Sequence, residues 1–227
     1  MSDIPLASCP SGETCYLSSE FTELKKEVER LSNLVSSDPL TGLHNYRHLS
    51  LALEQEIERS QRTLNHTTLI MLDVDHFKKV NDDWGHETGN HALKLIAHCI
   101  ISTIRKLDIA CRYGGEEFAV ILPGTDIVTG YHVAERIRHA IEDTPLSVDT
   151  PSGHQFLHLT ASFGLSMYTS NMDQGPNYLV ELADQQLYKA KTQGRNQTCF
   201  DAPDNTGQQV SQGEKSALFT IFQTEDK

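Results

Sequence analysis

The sequence is poor in positive charge. Its 227 residues include 19 Lys and Arg against 31 Asp and Glu, which gives a formal net charge of -12. A protein that binds mainly to a phosphate backbone or an anionic lipid surface needs clustered Lys and Arg. We therefore expect no nucleic acid and no membrane as a partner. An anionic ligand would have to be held locally by a few basic side chains, backbone amides and metal ions.

Long apolar runs and regularly spaced cysteines are also missing. No apolar run approaches the roughly 18 residues that a membrane-spanning helix needs. Residues 1–19 lack the basic start and apolar stretch of a secretion signal. The five cysteines are irregularly spaced, so they predict neither a disulfide framework nor a zinc site. A soluble, cytoplasmic protein is expected.

Composition divides the chain into four parts. Residues 1–19 are rich in Ser, Pro and Gly and are predicted to be a disordered N-terminus. Residues 20–37 are predicted to form an amphipathic helix or short coiled coil. Its apolar seam consists of Phe21, Leu24, Val28, Leu31 and Val35. A helix packed on its own domain fits this period equally well. Residues 38–202 suffice for one catalytic domain, and residues 203–227 are predicted to be mostly disordered.

Helical and strand patterns alternate after Asp38-Pro39, where the proline ends the first helix. Helices are predicted at about 45–63, 86–105, 127–143 and 177–192, and strands at 67–75, 108–113, 117–122, just before Pro151, 155–168 and 197–200. This alternation predicts an α/β domain.

Acidic residues end one predicted strand and begin another. The strand at 67–75 finishes with Asp73-Val74-Asp75, and Glu116-Glu117 follows directly after Gly114-Gly115. Hard divalent cations bind oxygen ligands, and converging carboxylates beside phosphate oxygens are the usual way to hold them. The glycines permit a tight hairpin and let a bulky anion approach the backbone. The pattern favours a metal site next to a phosphate ligand.

Four separated motifs resemble those of the GGDEF family of diguanylate cyclases. Residues 112–118 (RYGGEEF) resemble the family's signature loop in its GGEEF form. Residues 38–43 (DPLTGL) resemble its opening motif, residues 73–81 (DVDHFKKVN) its metal and phosphate strand, and residues 187–196 (LYKAKTQGRN) its closing helix. The motifs occur in the expected order and cover about residues 38–200.

The resemblance implies an α+β sandwich with a central, mainly antiparallel sheet flanked by helices, similar to nucleotidyl cyclase catalytic domains and preceded by an N-terminal helical stalk. It implies condensation of two GTP into cyclic di-GMP and two pyrophosphates with Mg²⁺, for which Mn²⁺ can substitute. Each domain would bind one GTP, so a homodimer must form through the catalytic faces. The helix at 20–37 would join the two halves or bind an activating regulatory protein.

The resemblance also implies roles for individual residues. Asp73, Glu117 and the carbonyl of Val74 resemble the metal ligands. Glu116 resembles the acid that assists deprotonation of the attacking 3'-hydroxyl or binds a second metal. The residues that match nucleotide contacts are Phe77 through its backbone amide, Lys78, Lys191 and Arg195 for the triphosphate, Asn81 for guanine, and His86, for which a structural hydrogen bond is an equally good account.

A second site is implied by Arg105 and Asp108, which stand shortly before Gly114. This spacing resembles the family's inhibitory site for cyclic di-GMP, with Arg136 as a supporting arginine. A receptor that binds cyclic di-GMP there without catalysis is the alternative class of function. The complete signature loop favours the enzyme.

Asn90 departs from the family pattern, which commonly has aspartate at this position and pairs it with the guanine edge. A carboxylate accepts both guanine N–H donors, whereas an amide has one acceptor and two donor hydrogens and can also pair with adenine. We expect discrimination between the bases to weaken by about 1 to 3 kcal/mol. GTP would remain the main substrate, with some ATP use and some cyclic GMP-AMP.

Overall fold

A computed structural model describes residues 22–26, 36–150, 153–170, 172 and 174–201. Residues 22–26 are helical. Ser37 is not helical but forms an isolated β-bridge with His44. The predicted disordered segments at 1–19 and 203–227, and most of the seam in the stalk, lie outside the described residues.

Strands and helices alternate along the domain. The strands are β1 (His44–Asn45), β2 (Thr67–Val74), β3 (Ile109–Gly114), β4 (Glu117–Pro123), β5 (Leu146–Thr150), β6 (Gly153–Leu157), β7 (Ala161–Tyr168) and β8 (Thr198–Phe200), and the helices are α1 (Tyr46–Thr63), α2 (Phe77–Thr103), α3 (Ile127–Glu142) and α4 (Pro176–Thr192).

One six-stranded sheet, in the order β1-β3-β4-β2-β7-β8, forms the centre of the domain, and β5 and β6 form a separate hairpin. The inner pairs are antiparallel and the two edge pairs are parallel. One face of the sheet packs against α2 and α3, and the other packs against α1 and α4. The predicted α+β sandwich with a mainly antiparallel sheet is therefore confirmed.

The central strand β2 is buried along its whole length because helices cover both faces of the sheet. Helix α4 lies very close to β7. A Cβ atom at Gly164 would overlap the backbone nitrogen of Leu187 and the carbonyl oxygen of Ala183. The glycine thus permits the close approach that fixes α4, which carries Lys191 near its C-terminal end.

Helix α2 begins at Phe77, not near residue 86 as its pattern predicts. Gly85, with φ of 81° and ψ of 161°, interrupts the helix, and the residues around this kink are mostly polar. The apolar period therefore becomes visible only after the kink. The strand predicted at 155–168 is two strands, β6 and β7, because residues 158–160 connect the hairpin to the sheet.

The described part of the chain contains no helix that combines the length and apolarity required to cross a bilayer.

Candidate active site

Asp73 and Glu117 lie opposite each other in the antiparallel pair of β2 and β4. Residues directly opposite in such a pair project their side chains from the same face of the sheet. Here that face is the one covered by α1 and α4, because Met71, two residues before Asp73, packs in the core on that side. The strand register therefore brings the two carboxylates together, as the sequence predicts.

The hairpin between β3 and β4 turns at Gly115 and Glu116, while Gly114 ends β3. Gly115 has a φ of +52°, a backbone conformation that favours glycine. Gly114 belongs to the strand, and the register shifts between Arg112 and Gly114. The hairpin was predicted at the two glycines, and it lies one residue later. The backbone nitrogen of Val74 donates to the carbonyl oxygen of Glu116 at 3.3 Å, which ties the turn to the end of β2.

Three acids, Asp73, Glu116 and Glu117, lie in a partly buried environment with one lysine, Lys191. The Nζ atom of Lys191 lies 2.8 Å from Oδ2 of Asp73. Burial raises the pKa of Asp73, although Lys191 acts in the opposite direction. Burial, and then the charge of Asp73, raise the pKa values of Glu116 and Glu117. Additional positive charge at this place would therefore stabilise the ionised acids.

These acids fit a divalent cation whose coordination shell also includes phosphate oxygens. Within the described ranges, no three His, Cys, Asp or Glu side chains are already arranged around a metal position. Mg²⁺ usually takes only one or two carboxylates from a protein and completes its shell with water and substrate phosphates. Asp73, Glu116 and Glu117 supply oxygen atoms of the required kind, and the Val74 carbonyl belongs to the same strand end.

Asp75, the second acid of the Asp73-Val74-Asp75 sequence, does not join this group. Its side chain is buried and accepts hydrogen bonds from Thr160 Oγ1 at 2.8 Å, Ser162 Oγ at 2.7 Å and the backbone nitrogen of Asn196 at 3.0 Å. Both carboxylate oxygens are thus hydrogen-bonded to protein donors.

The residues predicted to contact a triphosphate lie around the same strand end. Lys78 is exposed in the first turn of α2, where the first N–H groups of a helix have no partner within the helix and attract anions. Phe77 buries its side chain, so only its backbone can serve. Arg195 is exposed in the turn after α4, and its charge lowers the pKa of Asp73, as that of Lys191 does.

The residues predicted to contact the base lie on either side of the kink that Gly85 makes in α2. A Cβ atom at Gly89 would overlap Oδ1 of Asn81. The Asn81 amide therefore lies directly over Gly89, the residue that precedes Asn90 in the chain. His86 and Asn90 are exposed. The kink thus brings Asn81 close to the backbone of the neighbouring segment despite the eight-residue separation in sequence.

Comparison with known proteins agrees with this geometry. The sequence profile described as "Diguanylate cyclase, GGDEF domain" matches residues 35–197. The chain belongs to the GGDEF family of diguanylate cyclases. Diguanylate cyclase DgcP of Pseudomonas aeruginosa is 41% identical over 160 residues, which are 70% of this chain and 23% of DgcP. The chain spans less than half the length of such curated relatives.

Solved structures of the GGDEF family have the same fold. The diguanylate cyclase SiaD of Pseudomonas aeruginosa, in complex with its activator SiaC, is 36% identical with a TM-score of 0.69, and the match covers 82% of this chain and 69% of SiaD. The coiled coil and GGDEF domain of DgcB from Caulobacter crescentus, in complex with c-di-GMP, is 27% identical with a TM-score of 0.70 and covers 82% and 95% of the two chains.

At the other end of β3, this GGDEF domain has a second cluster of charged side chains. The backbone nitrogen of Arg105 donates to Oδ2 of Asp108 at 2.8 Å, and Arg136 donates to the carbonyl oxygen of Thr103 at 3.2 Å. Burial raises the pKa of Asp108, against the opposing charges of Arg105 and Arg136. The predicted inhibitory residues therefore lie together, roughly 20 Å along β3 from the catalytic turn at about 3.3 Å per residue.

Arg112 has a structural role that the sequence motifs did not reveal. Arg112 donates through Nε and Nη2 to the carbonyl oxygen of Gly115 at 3.0 and 2.6 Å, and through Nη1 to both Asp38 carboxylate oxygens at 3.2 Å. Burial acts to raise the pKa of Asp38, but hydrogen bonds from Thr41 and the nearby Arg112 outweigh it and lower the pKa. An arginine two residues before the Gly114-Gly115 pair was the available signal.

Proposed function

We propose that the chain is an active diguanylate cyclase that condenses two GTP molecules into cyclic di-GMP with release of two pyrophosphates. One observation carries the proposal: Asp73 and Glu117 face each other in strand register, next to Glu116 in the turn, with Lys191 bound to Asp73. An acidic metal position and a cation for phosphate thus adjoin each other. Relatives named diguanylate cyclases support the same reaction.

Asp73, Glu117 and the Val74 carbonyl would hold Mg²⁺ or Mn²⁺, and Glu116 would act as the base or bind a second ion; the metal would neutralise charge that develops on the phosphate oxygens. Arg195 and Lys191 bind the β- and γ-phosphates through charge-assisted hydrogen bonds. The amides at the start of α2 bind the same phosphates.

Glu116 is suited to accept a proton. Burial and the charge of Asp73 raise its pKa, which brings it closer to neutrality and makes it a better general base than an exposed glutamate. Its position in the turn after Gly115, where no side chain obstructs the backbone, allows a 3'-hydroxyl to approach. The proton of that hydroxyl moves to a Glu116 carboxylate oxygen as the 3'-oxygen attacks the α-phosphate and pyrophosphate leaves.

The reaction requires a homodimer. Each domain holds one GTP, and the 3'-oxygen on one domain must reach the α-phosphate on its partner, so two catalytic faces meet about a two-fold axis. We propose that residues 20–37 bring the two domains together or bind a regulatory protein. The SiaD structure with its activator SiaC supports the second role. We propose that the enzyme acts in the cytoplasm, because its substrate GTP is available there.

We propose product inhibition at Arg105, Asp108 and Arg136. Two exposed guanidinium groups beside a half-buried carboxylate can bind the phosphates and the N–H edge of guanine. The DgcB structure in complex with c-di-GMP supports binding of this ligand in the family. A receptor without catalysis would use the same cluster, but it has no need of the acids in the turn.

Product identification tests the proposal. The full chain is incubated with GTP and Mg²⁺, pyrophosphate release is followed and the nucleotide product is resolved. We expect cyclic di-GMP from the wild type and a rate at least about 100-fold lower from Glu116→Gln. Glu58→Gln, an exposed change on α1, serves as the control and keeps the full rate. Binding of cyclic di-GMP without any pyrophosphate release would establish the receptor instead.

A further inference from the structure

Asp75 is a buried acid that the proposed chemistry does not use. Its carboxylate joins two separate parts of the chain. Thr160 and Ser162 bind it from the start of β7, and the backbone nitrogen of Asn196 binds it from the turn after α4. The backbone nitrogen of Asp75 itself donates to the carbonyl oxygen of Thr160 at 2.9 Å. Asp75 therefore fixes the turn after α4 to the strand end that carries Asp73.

The turn after α4 has an unusual backbone. Gly194, Arg195 and Asn196 have φ angles of 125°, 65° and 44°. Arginine has a Cβ atom and rarely adopts the left-handed conformation, which is strained for such a residue. The turn persists because specific contacts hold it. The nitrogen of Arg195 donates to the carbonyl oxygen of Ala190 at 3.0 Å, and that of Asn196 donates to Asp75.

The side chain of Asn196 holds the turn from its other side. Its Nδ2 donates to Oε1 of Glu142 at 2.9 Å, and its Oδ1 accepts from Nη1 of Arg138 at 3.0 Å. Arg138 is fixed in turn by a salt bridge to Glu135 at 3.0 Å. The residue after Arg195 is thus held by its backbone to Asp75 and by its side chain to α3.

This double attachment determines where Arg195 lies. Arg195 directly precedes Asn196, whose backbone nitrogen binds Asp75 two residues after Asp73, and its side chain is exposed, so the turn holds this cation at the strand end that carries Asp73. A backbone held in a sparsely populated conformation next to such a site is the pattern expected when the conformation serves function.

We propose that Asp75 is a positioning residue, which holds the left-handed turn at 194–196 so that Arg195 presents its guanidinium to the triphosphate. This inference rests on the proposed function, since it assumes that a nucleoside triphosphate binds at Asp73. The two acids at this strand end then have different roles. Asp73 faces the ligand, whereas Asp75 orders the arginine.

Ligand binding with and without the terminal phosphates tests the proposal. The probes are 3'-deoxy-GTP, which lacks the attacking hydroxyl and is not turned over, and GMP, both with Mg²⁺. Asp75→Asn is expected to weaken binding of 3'-deoxy-GTP by roughly tenfold or more, because a charge-assisted phosphate contact is lost, and to leave GMP binding unchanged. Equal loss for both ligands would overturn the proposal, because a general loosening of the site acts on both.

A double-mutant cycle identifies the residue through which Asp75 acts. In an Arg195→Ala background, Asp75→Asn is expected to change the affinity for 3'-deoxy-GTP by less than about twofold, since the arginine that it orders is gone. The same factor in both backgrounds would show that Asp75 acts elsewhere and would overturn the inference. Asp143→Asn, an exposed change after α3, is the matched control and leaves both affinities unchanged.

A second variant keeps the carboxylate in case Asp75→Asn does not fold. Thr160→Val with Ser162→Ala removes two donors to Asp75 and is expected to weaken 3'-deoxy-GTP binding selectively, by a smaller factor. Wild-type affinity in this variant would contradict the proposal. The outcomes also separate the two proposals. A wild type that binds 3'-deoxy-GTP but makes no cyclic di-GMP overturns only the cyclase function, whereas an active wild type with an unaffected Asp75→Asn overturns only the positioning role.

Discussion

The ammonium group of Lys191 forms a salt bridge with Asp73 at 2.8 Å, on the sheet face that also carries Glu117. Without a ligand, the site thus neutralises part of its negative charge with its own lysine. A nucleotide with its metal ion would replace this arrangement by supplying cations for the acids and phosphate oxygens for the lysine. On binding, the salt bridge would open, Asp73 would pair with the metal ion, and Lys191 would pair with phosphate oxygens.

Replacement of Lys191 by methionine is expected to lower kcat/KM for GTP by roughly 100-fold, because a partly buried charge-assisted contact to phosphate is lost. Initial rates of pyrophosphate release over a range of GTP concentrations measure the change. Lys189→Met is the control, since Lys189 lies on the same helix but pairs with Asp201 at 3.0 Å. A kcat/KM within twofold of the wild type for Lys191→Met would contradict the assignment.

Glu117→Gln is expected to raise the melting temperature of the metal-free protein at about pH 8 by a few degrees. Burial and the charge of Asp73 raise the pKa of Glu117 above its ordinary value of 4.5, so the ionised form costs folding free energy above that range. The gain shrinks as the pH falls, because the wild-type acid becomes protonated. Thermal unfolding followed by circular dichroism at several pH values checks this, with Glu58→Gln as the exposed control. A lower melting temperature at about pH 8 would refute it.

Arg112→Lys is expected to lower kcat by about tenfold or more with little change in the melting temperature. A single ammonium group cannot donate to both the Gly115 carbonyl and the Asp38 carboxylate as the guanidinium fork does. The turn would lose its fixed position while charge is preserved. Steady-state kinetics measure the effect, with Arg62→Lys on the surface of α1 as the control. Unchanged kcat would mean that the turn holds its shape without Arg112.

Arg105→Ala is expected to raise the concentration of cyclic di-GMP that gives half inhibition by about tenfold or more, without lowering the initial rate before product accumulates. The guanidinium would no longer bind the product, while the catalytic turn lies at the opposite end of β3. Rates measured with added cyclic di-GMP test this. Lys106→Ala, at the exposed neighbouring position, is the control. Wild-type inhibition in Arg105→Ala would exclude the cluster as the inhibitory site.

Asn90→Asp is expected to improve discrimination of GTP over ATP by about 1 to 3 kcal/mol, because a carboxylate accepts both guanine N–H groups but repels the acceptor on adenine. The wild type and the variant are each incubated with equimolar GTP and ATP, and the products are separated. Some cyclic GMP-AMP is expected from the wild type and less from the variant. Its complete absence in the wild type would end the hypothesis of relaxed base specificity.

Local patterns were sufficient to predict most of the elements. The helical period of α1, α3 and α4 and the apolar run of β2 gave their places within one or two residues. Strand β1 was missed because two residues show no period, and its pairing with β3 joins residues far apart in sequence. The first turns of α2 were missed because they are polar and end in a kink.

The motifs predicted which acids lie in the site but not every side chain that arranges them. The backbone nitrogen of Asn196 and the Asp75 carboxylate are 121 residues apart in sequence, and Arg112 and Asp38 are 74 apart. Such partners depend on the folded chain path. The sequence Asp73-Val74-Asp75 therefore did not reveal that the fold directs its second acid to protein donors.

The fork of Arg112 has a mechanical consequence. The same side chain fastens Asp38, where the domain begins, to the carbonyl of Gly115. A rotation of the segment that precedes Asp38 is therefore expected to turn the start of the domain and the hairpin together. We expect an upstream signal to change the orientation of the hairpin and the domain start together, and not the shape of the loop alone.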